Sequence, residues 1–566
     1  MKKSFQKLLS FAGMLLIAAC TTVTPPPPIA TIENEPPAAV SQANVEPPLP
    51  PYTPGEPRVV TLASSSPLVT ISVMVTQGST ADPVGKEGLA NLTADSILDG
   101  GYMNGATKIT KERLAEMTAP WGSGARPSTF TSSRTTTFYF TAPREVLNQY
   151  VRDVLRPMLN EPAFDAQEID RLKNETVSAI SSLRSEDLEN LGLSVIDQYV
   201  LAGTPYEHHP IGTDAAVPAL TRDDVVRFYR DFYRPENMIV GVSSDDPAVV
   251  AQVRDAVRSV NRNATTASPA VVIPRPAAFT GREAVIIQEP NAPAASVHLG
   301  FPYAVNRNHP DYWPLYVANV WLGTHRDSFG QLYGKIREER GYNYGDYSYI
   351  EYWGGRTYNL FQVFNQPREQ QYFSLWLRPV KHEHAVHLAK AATYELEQMV
   401  QRGLTADDVT AAKNKAKILY LNLGETVPRL LAARVDDAFY GARQGFLNDY
   451  LTAIEAVTPE QVNAAIRRNL GTENIRYVIV TSTPHLAATQ EQLRTDLPVY
   501  GKSWKDYEFS TAKLADGTTV WQVPEAKMPT VQLDAVWASH PLRIRRMTVI
   551  PASALFTSPT MLRMNN

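Results

Sequence analysis

Ala219-Leu220-Thr221-Arg222-Asp223-Asp224-Val225 is matched 237 residues later by Ala456-Val457-Thr458-Pro459-Glu460-Gln461-Val462. Each stretch predicts a capped helix, because a threonine stands three residues before an aspartate or a glutamine. The same shift aligns two apolar runs, residues 238–242 and 475–479, which are typical of buried strands. The chain therefore carries an internal duplication of a helix, a turn and a strand.

The duplication extends upstream and defines two domains. Residues 164–169 and 404–409 also match each other, and each precedes a long helical pattern. We predict homologous domains at 58–270 and 283–485, joined by a proline-bearing linker at 271–282. Helices and strands are mixed without strict alternation, which favours an α+β fold with antiparallel sheets and helices packed on one face.

Strand patterns open both domains and recur in the tail, residues 486–566. Leu68–Val75 opens the first domain, and Val285–Gln288 with Ser296–Phe301 opens the second. In the tail, Lys513–Trp521 and Pro529–Trp537 look like the opening strands of a further copy. The pattern stops fitting at His540. The tail is interpreted as a docking extension or as the stub of a further repeat, whose strands would be poorly paired.

The first residues have the pattern of an exported lipoprotein. Lys2 and Lys3 precede an apolar run that ends in Leu16-Ile17-Ala18-Ala19-Cys20, and Cys20 is the single cysteine. We predict a signal peptide at 1–19 and lipidation at Cys20; a signal peptide with an unrelated thiol is the alternative. Thr21, rather than an aspartate, favours the outer membrane facing the periplasm, with a surface-exposed lipoprotein as the alternative.

Residues 20–57 are rich in proline and lack apolar periodicity, so we predict an extended tether. At about 3 Å per residue it would span on the order of 100 Å. The net charge of −4, without a basic cluster, argues against nucleic acid as a partner. No later segment has the apolar run of a membrane-spanning helix, so contact with the membrane is predicted through the lipid anchor only.

Three further segments occur in the order seen in one peptidase family. They are Gln77–Ala90, with a glycine-serine turn, His209–Thr213, and Phe329–Gly341. The chain resembles the pitrilysin/insulinase family of zinc peptidases over most of residues 58–485. The resemblance implies that the two domains form half of a clamshell.

The resemblance also shows what is missing. The family's zinc motif, His-x-x-Glu-His, stands here as Asn91-Leu92-Thr93-Ala94-Asp95. The family's third ligand, a glutamate on a later helix, aligns with Ser178 and Ala179. The chain has no histidine before His208. The resemblance implies that this chain binds no zinc and that a partner carries it; Asn91 and Asp95 as ligands of a hard cation are a weaker hypothesis.

Two other groups of histidines are candidate sites in the sequence. His382, His384 and His387, with Glu383 among them, lie at a predicted helix start, where spacing by one turn can suit a metal. A solvated, polar helix start is the favoured interpretation. The pair at 208–209 is interpreted as turn structure.

One functional pair of the family matches. The resemblance implies that Arg337 and Tyr344, seven residues apart, hold the substrate backbone and stabilise the tetrahedral intermediate. A guanidinium and a phenol both donate hydrogen bonds to a developing oxyanion. The alternative is a surface ion pair at Arg337 and an ordinary strand aromatic at Tyr344. Tyr342 is a nearby competitor for the role.

These features predict a non-catalytic subunit that is inactive alone and supplies Arg337 and Tyr344 to a zinc-bearing homologous subunit acting on peptides. Two alternatives stay open. One is a peptidase-like binding or scaffold lipoprotein with no catalytic role. The other is a truncated product of a four-domain peptidase. An independently active peptidase is disfavoured, since nothing at 91–95 activates water.

Overall fold

The protein is described from a computed structural model. The described residues are 53, 55–185, 188–262, 264–353, 366–424, 426–441, 445–499, 510–517, 519–522, 528–559 and 562. The predicted signal peptide, the lipidation site Cys20 and nearly all of the predicted tether lie outside the described residues. Residues from Pro47 onward form one compact unit.

The first domain is built on a mixed sheet. The strands of this domain are β1 (Arg58–Thr61), β2 (Leu68–Val75), β3 (Tyr102–Asn104), β4 (Thr107–Ile109), β5 (Ser128–Thr131), β6 (Thr136–Pro143) and β7 (Met238–Val242). Strands β3 and β4 form a small separate hairpin. The sheet order is β1-β7-β2-β6-β5. The strand β2 covers the residues predicted for it.

The helices of the first domain are α1 (Leu89–Asp99), α2 (Lys111–Thr118), α3 (Leu147–Tyr150), α4 (Arg156–Asn160), α5 (Ala166–Ser185), α6 (Leu188–Val200), α7 (Ala216–Ala219), α8 (Arg222–Phe232) and α9 (Pro247–Arg258). The predicted cap of α8 forms as a capping box, because the Thr221 side chain accepts from the Asp224 amide while the Asp224 carboxylate accepts from the Thr221 amide.

The second domain repeats this arrangement. Its strands are β8 (Arg282–Gln288), β9 (Ala295–Tyr303), β10 (Asn343–Tyr349), β11 (Gln371–Val380) and β12 (Arg476–Thr481). Its helices are α10 (Tyr312–Gly323), α11 (Ala385–Arg402), α12 (Ala406–Leu423), α13 (Val427–Tyr440), α14 (Phe446–Ala456), α15 (Pro459–Asn469) and α16 (Thr483–Thr495). The predicted cap of α15 also forms, at Thr458.

The two sheets have the same strand order. In the second sheet, β8-β12-β9-β11-β10 corresponds one for one to β1-β7-β2-β6-β5 of the first. The predicted α+β fold of two homologous domains is confirmed. The sheets differ from the prediction in one detail: the pairs β1–β7 and β8–β12 run parallel, while the remaining pairs of these five-strand sets are antiparallel.

The domains exchange one helix each. Helix α6 of the first domain contacts β9, β11 and β12 of the second sheet, and α13 of the second domain contacts β1, β2 and β7 of the first. Buried apolar side chains fill both contacts, among them Ile196 against the second sheet and Val435 against the first. Each such side chain contributes about 1.5–3 kcal/mol when fully buried.

Close approach of α6 to the sheet depends on Gly192. A Cβ at this position would lie 2.3 Å from the His298 ring nitrogen Nε2 on β9. His298 is fully buried, and burial lowers the pKa of its imidazole to about 3. The ring is therefore a neutral part of the interdomain core.

The tail completes the second domain. It contributes a hairpin of β13 (Ser510–Lys513) and β14 (Thr519–Gln522), then α17 (Met528–Ser539) and β15 (Ile544–Pro551). Strand β15 pairs in parallel with β8 at the edge of the second sheet, and α17 contacts α11. The prediction of a strand at Pro529–Trp537 was wrong, because this segment is helical. The segment after His540 is not an unpaired stub, because its strand joins the sheet.

Within the described ranges, no helix is long and apolar enough to cross a membrane.

Candidate functional site

Helix α1 carries the positions at which the resembled family has its zinc motif. Asn91 and Asp95 lie one turn apart, and the Asn91 side-chain nitrogen donates to an Asp95 carboxylate oxygen at 2.8 Å. Ala94, at the position of the general base, is buried and has no group that can accept a proton. The two side chains at the ligand positions are therefore joined to each other.

Asp95 has an altered acidity. Burial, with further contributions from the negative charges of Asp99 and Glu175, raises its pKa to about 7. Asp99 itself forms ion pairs with Lys111 at 2.9 Å and Arg126 at 3.1 Å. The carboxyl of Asp95 is thus half protonated near neutral pH.

Ser178 and Ala179, which the resemblance aligns with the third ligand of the family, lie on α5. Both are exposed, as is Glu175 one turn earlier on α5, whose negative charge contributes to the raised pKa of Asp95. Glu175 forms an ion pair with Arg171 at 2.6 Å. Within the described ranges, no group of three histidine, cysteine or acidic residues could hold a metal ion.

A buried carboxylate orders the turn before α1. Asp82 accepts hydrogen bonds from the backbone amides of Gly88 and Ala90, at 2.8 and 2.7 Å, and lies 3.2 Å from His208 Nε2. Burial raises the pKa of Asp82, and the contacts with His208 and the amides oppose this rise. Gly88 has φ +98°, and a Cβ there would lie 2.7 Å from the Ile211 carbonyl oxygen.

The pair at 208–209 lies in irregular turn structure, as interpreted from the sequence. Burial lowers the pKa of His209 to about 4, so its ring is neutral at physiological pH. The ring packs edge-on against Phe556 of the tail, with centroids 5.5 Å apart. This segment therefore links the turn before α1 to the tail.

The structure brings Arg337 and Tyr344 together. Arg337 lies in a π-helical turn, Tyr333–Glu338, and Tyr344 lies on the edge strand β10. The Arg337 guanidinium carbon is 4.6 Å from the ring centroid of Tyr333 and 5.3 Å from that of Tyr344. Such contacts are worth about 0.5–1 kcal/mol at exposed positions. The sequence analysis missed Tyr333, although its spacing of one turn before Arg337 was a usable signal.

Solvent exposure distinguishes Tyr344 from Tyr342, its competitor for the substrate-binding role. Tyr344 is 74% exposed, whereas Tyr342 is 5% exposed and packs against the rings of His384 and His387. Arg337 is partly exposed and forms an ion pair with Glu338 at 3.2 Å. The Arg337 and Tyr344 pair can therefore meet a ligand from solvent, whereas Tyr342 is a core residue.

The histidines at the start of α11 are not a solvated group. His387 is fully buried, and its Nδ1 lies 2.6 Å from the carbonyl oxygen of Val499 in the tail. His382 bridges the Thr481 hydroxyl and the Ala292 carbonyl oxygen, at 2.9 and 3.0 Å. The favoured interpretation of a solvated helix start holds for exposed Glu383 and was wrong for His387, which the tail covers.

Sequence models of one peptidase family match the two halves of the body. The model for insulinase, peptidase family M16, matches residues 58–213, and the model for the peptidase M16 inactive domain matches residues 219–416. The chain belongs to the M16 family. Among M16 relatives, an uncharacterized zinc protease of Streptomyces coelicolor is 29% identical over 46% of this chain and 54% of that protein. The match thus spans about half the length of that relative.

A second relative covers more of the chain. Cytochrome b-c1 complex subunit 1 of Caenorhabditis elegans is 25% identical over 76% of this chain and 88% of that protein. Among solved structures, a peptidase M16 inactive domain from Pseudomonas fluorescens has a TM-score of 0.64 and 18% identity, covering 77% of this chain and 98% of that one.

The periplasmic protease PqqL from Escherichia coli has a TM-score of 0.60 and 16% identity, covering 86% of this chain and 55% of that one. At these identities, the structural matches establish the M16 fold.

Proposed function

We propose that this M16 chain is a non-catalytic, substrate-binding subunit of a zinc peptidase. The observation that carries the proposal is the exposed Arg337 and Tyr344 pair, held in contact on one surface. Both groups can donate hydrogen bonds to a peptide carbonyl oxygen. Both are strongest as ligands when that oxygen gains negative charge.

The composition of α1 supports a non-catalytic role. In M16 peptidases that match the motif, the position of Ala94 carries the glutamate that activates water. Here Asn91 and Asp95, at the two ligand positions of this helix, are hydrogen-bonded to each other, and the methyl group of Ala94 stands in place of the base. The residues that would perform the proton transfer are therefore expected in a second chain.

The proposed partner is a homologous subunit that carries zinc, and the proposed substrates are peptides. In this arrangement the partner polarises the scissile carbonyl, while Arg337 and Tyr344 hold the substrate and stabilise its oxyanion. We place the complex at the periplasmic face of the outer membrane, tethered through a lipid on Cys20. The apolar run before Cys20 and the proline-rich segment after it support this location.

The similarity to subunit 1 of the mitochondrial cytochrome b-c1 complex favours a second candidate. In this alternative the chain is a scaffold that uses the M16 fold for assembly alone. The alternative gives Arg337 and Tyr344 no role in hydrolysis.

An assay of peptide hydrolysis distinguishes the substrate-binding subunit from the scaffold. The chain would be assayed alone, and mixed with a homologue from the same cell that carries His-x-x-Glu-His. We expect hydrolysis by the mixture to exceed that of the homologue alone. Arg337→Ala should lower kcat/KM of the mixture by about 10²–10³-fold, the loss typical of removing one oxyanion donor. Tyr344→Phe, which keeps the ring and removes the hydroxyl, should also lower it.

The matched control is Arg494→Ala, which removes an exposed arginine paired with Glu491 on α16. It should leave kcat/KM unchanged. A mixture that gains nothing from this chain would support the scaffold. Chelator-sensitive hydrolysis by this chain alone would overturn the proposal.

A further inference from the structure

A cavity of about 630 Å³ lies where the first domain, the linker and the tail meet. Its lining includes residues near the starts of three adjacent parallel strands of the second sheet, Glu283 on β8, Arg476 on β12 and Arg546 on β15. Small residues of both neighbouring segments leave its mouth open, among them Gly203 and Ala278. This volume is in the range of small-molecule sites in proteins.

The charge of the lining is unbalanced. Three arginines, Arg476, Arg545 and Arg546, face a single carboxylate, that of Glu283. Glu283 forms ion pairs with Arg546 and, at 3.5 Å, with Arg476, and it accepts a hydrogen bond from the Tyr199 hydroxyl at 3.3 Å. The lining residues therefore carry two net positive charges after Glu283 is counted.

Arg476 is held in place by the protein. Its guanidinium carbon lies 4.3 Å from the ring centroid of Phe279 and 4.6 Å from that of Tyr199, and it donates to the Tyr199 carbonyl oxygen. Its Nε atom is buried and lies 3.5 Å from the Glu283 carboxylate. Burial lowers the pKa of Arg476, and the contacts with Tyr199 and Glu283 only partly oppose this. A fixed, desolvated guanidinium of this kind favours an anion nearby.

Strand pairing determines the position of Arg545. The parallel register of β15 and β8 shifts between Ile544 and Arg546, and this irregularity leaves Arg545 outside the ladder at the mouth of the cavity. Its guanidinium donates to the Thr280 carbonyl oxygen at 3.0 Å. Arginine presents five donors in a planar fork, so this one contact leaves donors for a ligand.

We propose that this cavity is a binding site for a phosphate monoester. The group carries about 1.5–2 negative charges at neutral pH, which matches the two net positive charges of the lining. A carboxylate would neutralise only one of them. Arg476 and Arg545 would bind the phosphate oxygens, and the Phe279 ring would contact the organic part of the ligand. The site is independent of the Arg337 and Tyr344 pair.

The test is isothermal titration calorimetry of the full chain at constant ionic strength, set with sodium chloride. The ligands are inorganic phosphate, glycerol 3-phosphate and dioctanoyl phosphatidic acid, with acetate as the monoanion for comparison. We expect saturable binding of at least one phosphate ligand, at least about tenfold tighter than acetate, a difference of about 1.4 kcal/mol. Glycerol 3-phosphate alone would identify a soluble ligand, and dioctanoyl phosphatidic acid alone a lipid headgroup.

Two variants locate the binding. Arg545→Gln removes one guanidinium from the mouth, and Ala278→Glu adds a competing carboxylate at an exposed linker position. Each should weaken phosphate binding about tenfold or more. Arg467→Gln removes an exposed arginine of α15 outside the cavity and should leave binding unchanged. Absence of saturable phosphate binding, or binding that neither cavity variant weakens, would overturn the proposal.

Discussion

Each of the two exchanged helices carries a buried aspartate at an equivalent position, and the two aspartates differ in how they contact an arginine. A shift of 239 residues, in line with the duplication, superimposes Asp197 of α6 on Asp436 of α13, and both are buried. Asp197 accepts two hydrogen bonds from Arg368, at 2.6 and 2.9 Å. Asp436 lies 3.5 Å from Arg307. The duplication thus preserved the residue but not its partner geometry.

The arginine partner of each aspartate influences the charge state of the buried pair. Burial disfavours the charge of Arg368, but the contact with Asp197 outweighs it and the pKa of the guanidinium is raised. Burial raises the pKa of Asp436 to about 7, although Arg307 opposes this. Arg307 lies closer to Glu351, at 3.2 Å. One helix is therefore held by a bidentate ion pair, while the other carries an aspartate that titrates near neutrality.

The largest expected effect is on the bidentate pair. Asp197→Ala leaves the Arg368 charge buried without its carboxylate, which should lower the free energy of unfolding by about 3–5 kcal/mol. Urea denaturation at pH 7 measures this loss. Asp436→Ala is the matched control and should cost less, because Arg307 keeps its ion pair with Glu351. Equal losses of unfolding free energy in Asp197→Ala and Asp436→Ala would contradict the difference between the two ion pairs.

An intermediate effect is expected from Asp436→Asn. The folded-state pKa of Asp436 is about 7, above its ordinary value of 3.8, so the folded state binds more protons than the unfolded state between these pH values. Stability from this group is therefore lost as pH rises from about 4 to 7. Asn removes this loss, and the stability of the variant relative to wild type should rise by about 3 kcal/mol over that window.

Urea denaturation of Asp436→Asn and wild type at pH 4.5 and 8 provides the measurement. Asp449→Asn is a suitable control, because burial raises the pKa of Asp449 by a smaller degree at a position without Arg307. Parallel stability profiles for wild type and Asp436→Asn would contradict a raised pKa at this position.

The smallest effect concerns α1 and tests whether the charge of Glu175 on α5 acts on Asp95. Glu175→Gln removes a negative charge that acts on Asp95, so the pKa of Asp95 should fall from about 7 by less than about one unit. Side-chain carboxyl NMR titration measures this change. Ala179→Gln places the same side chain one turn later and should leave the titration of Asp95 unchanged. An unchanged titration of Asp95 in Glu175→Gln would contradict the influence of Glu175.

Local patterns in the sequence were sufficient for the fold and for the altered motif. Helix caps at Thr221 and Thr458, and the apolar runs of β7 and β12, depend on residues within a few positions, so their duplication was visible directly. The replacement of the zinc motif at 91–95 was equally visible, because a motif within one helical turn fixes its own geometry.

Only the tertiary structure decided which side chains reach each other. It distinguished exposed Tyr344 from buried Tyr342, and it identified Glu175 as the α5 residue near Asp95. It also showed that β15 pairs with β8, more than 250 residues earlier in the chain, as the register of Ile544 with Arg282 records. Sheet pairing and burial depend on contacts between distant segments, which residue periodicity does not encode.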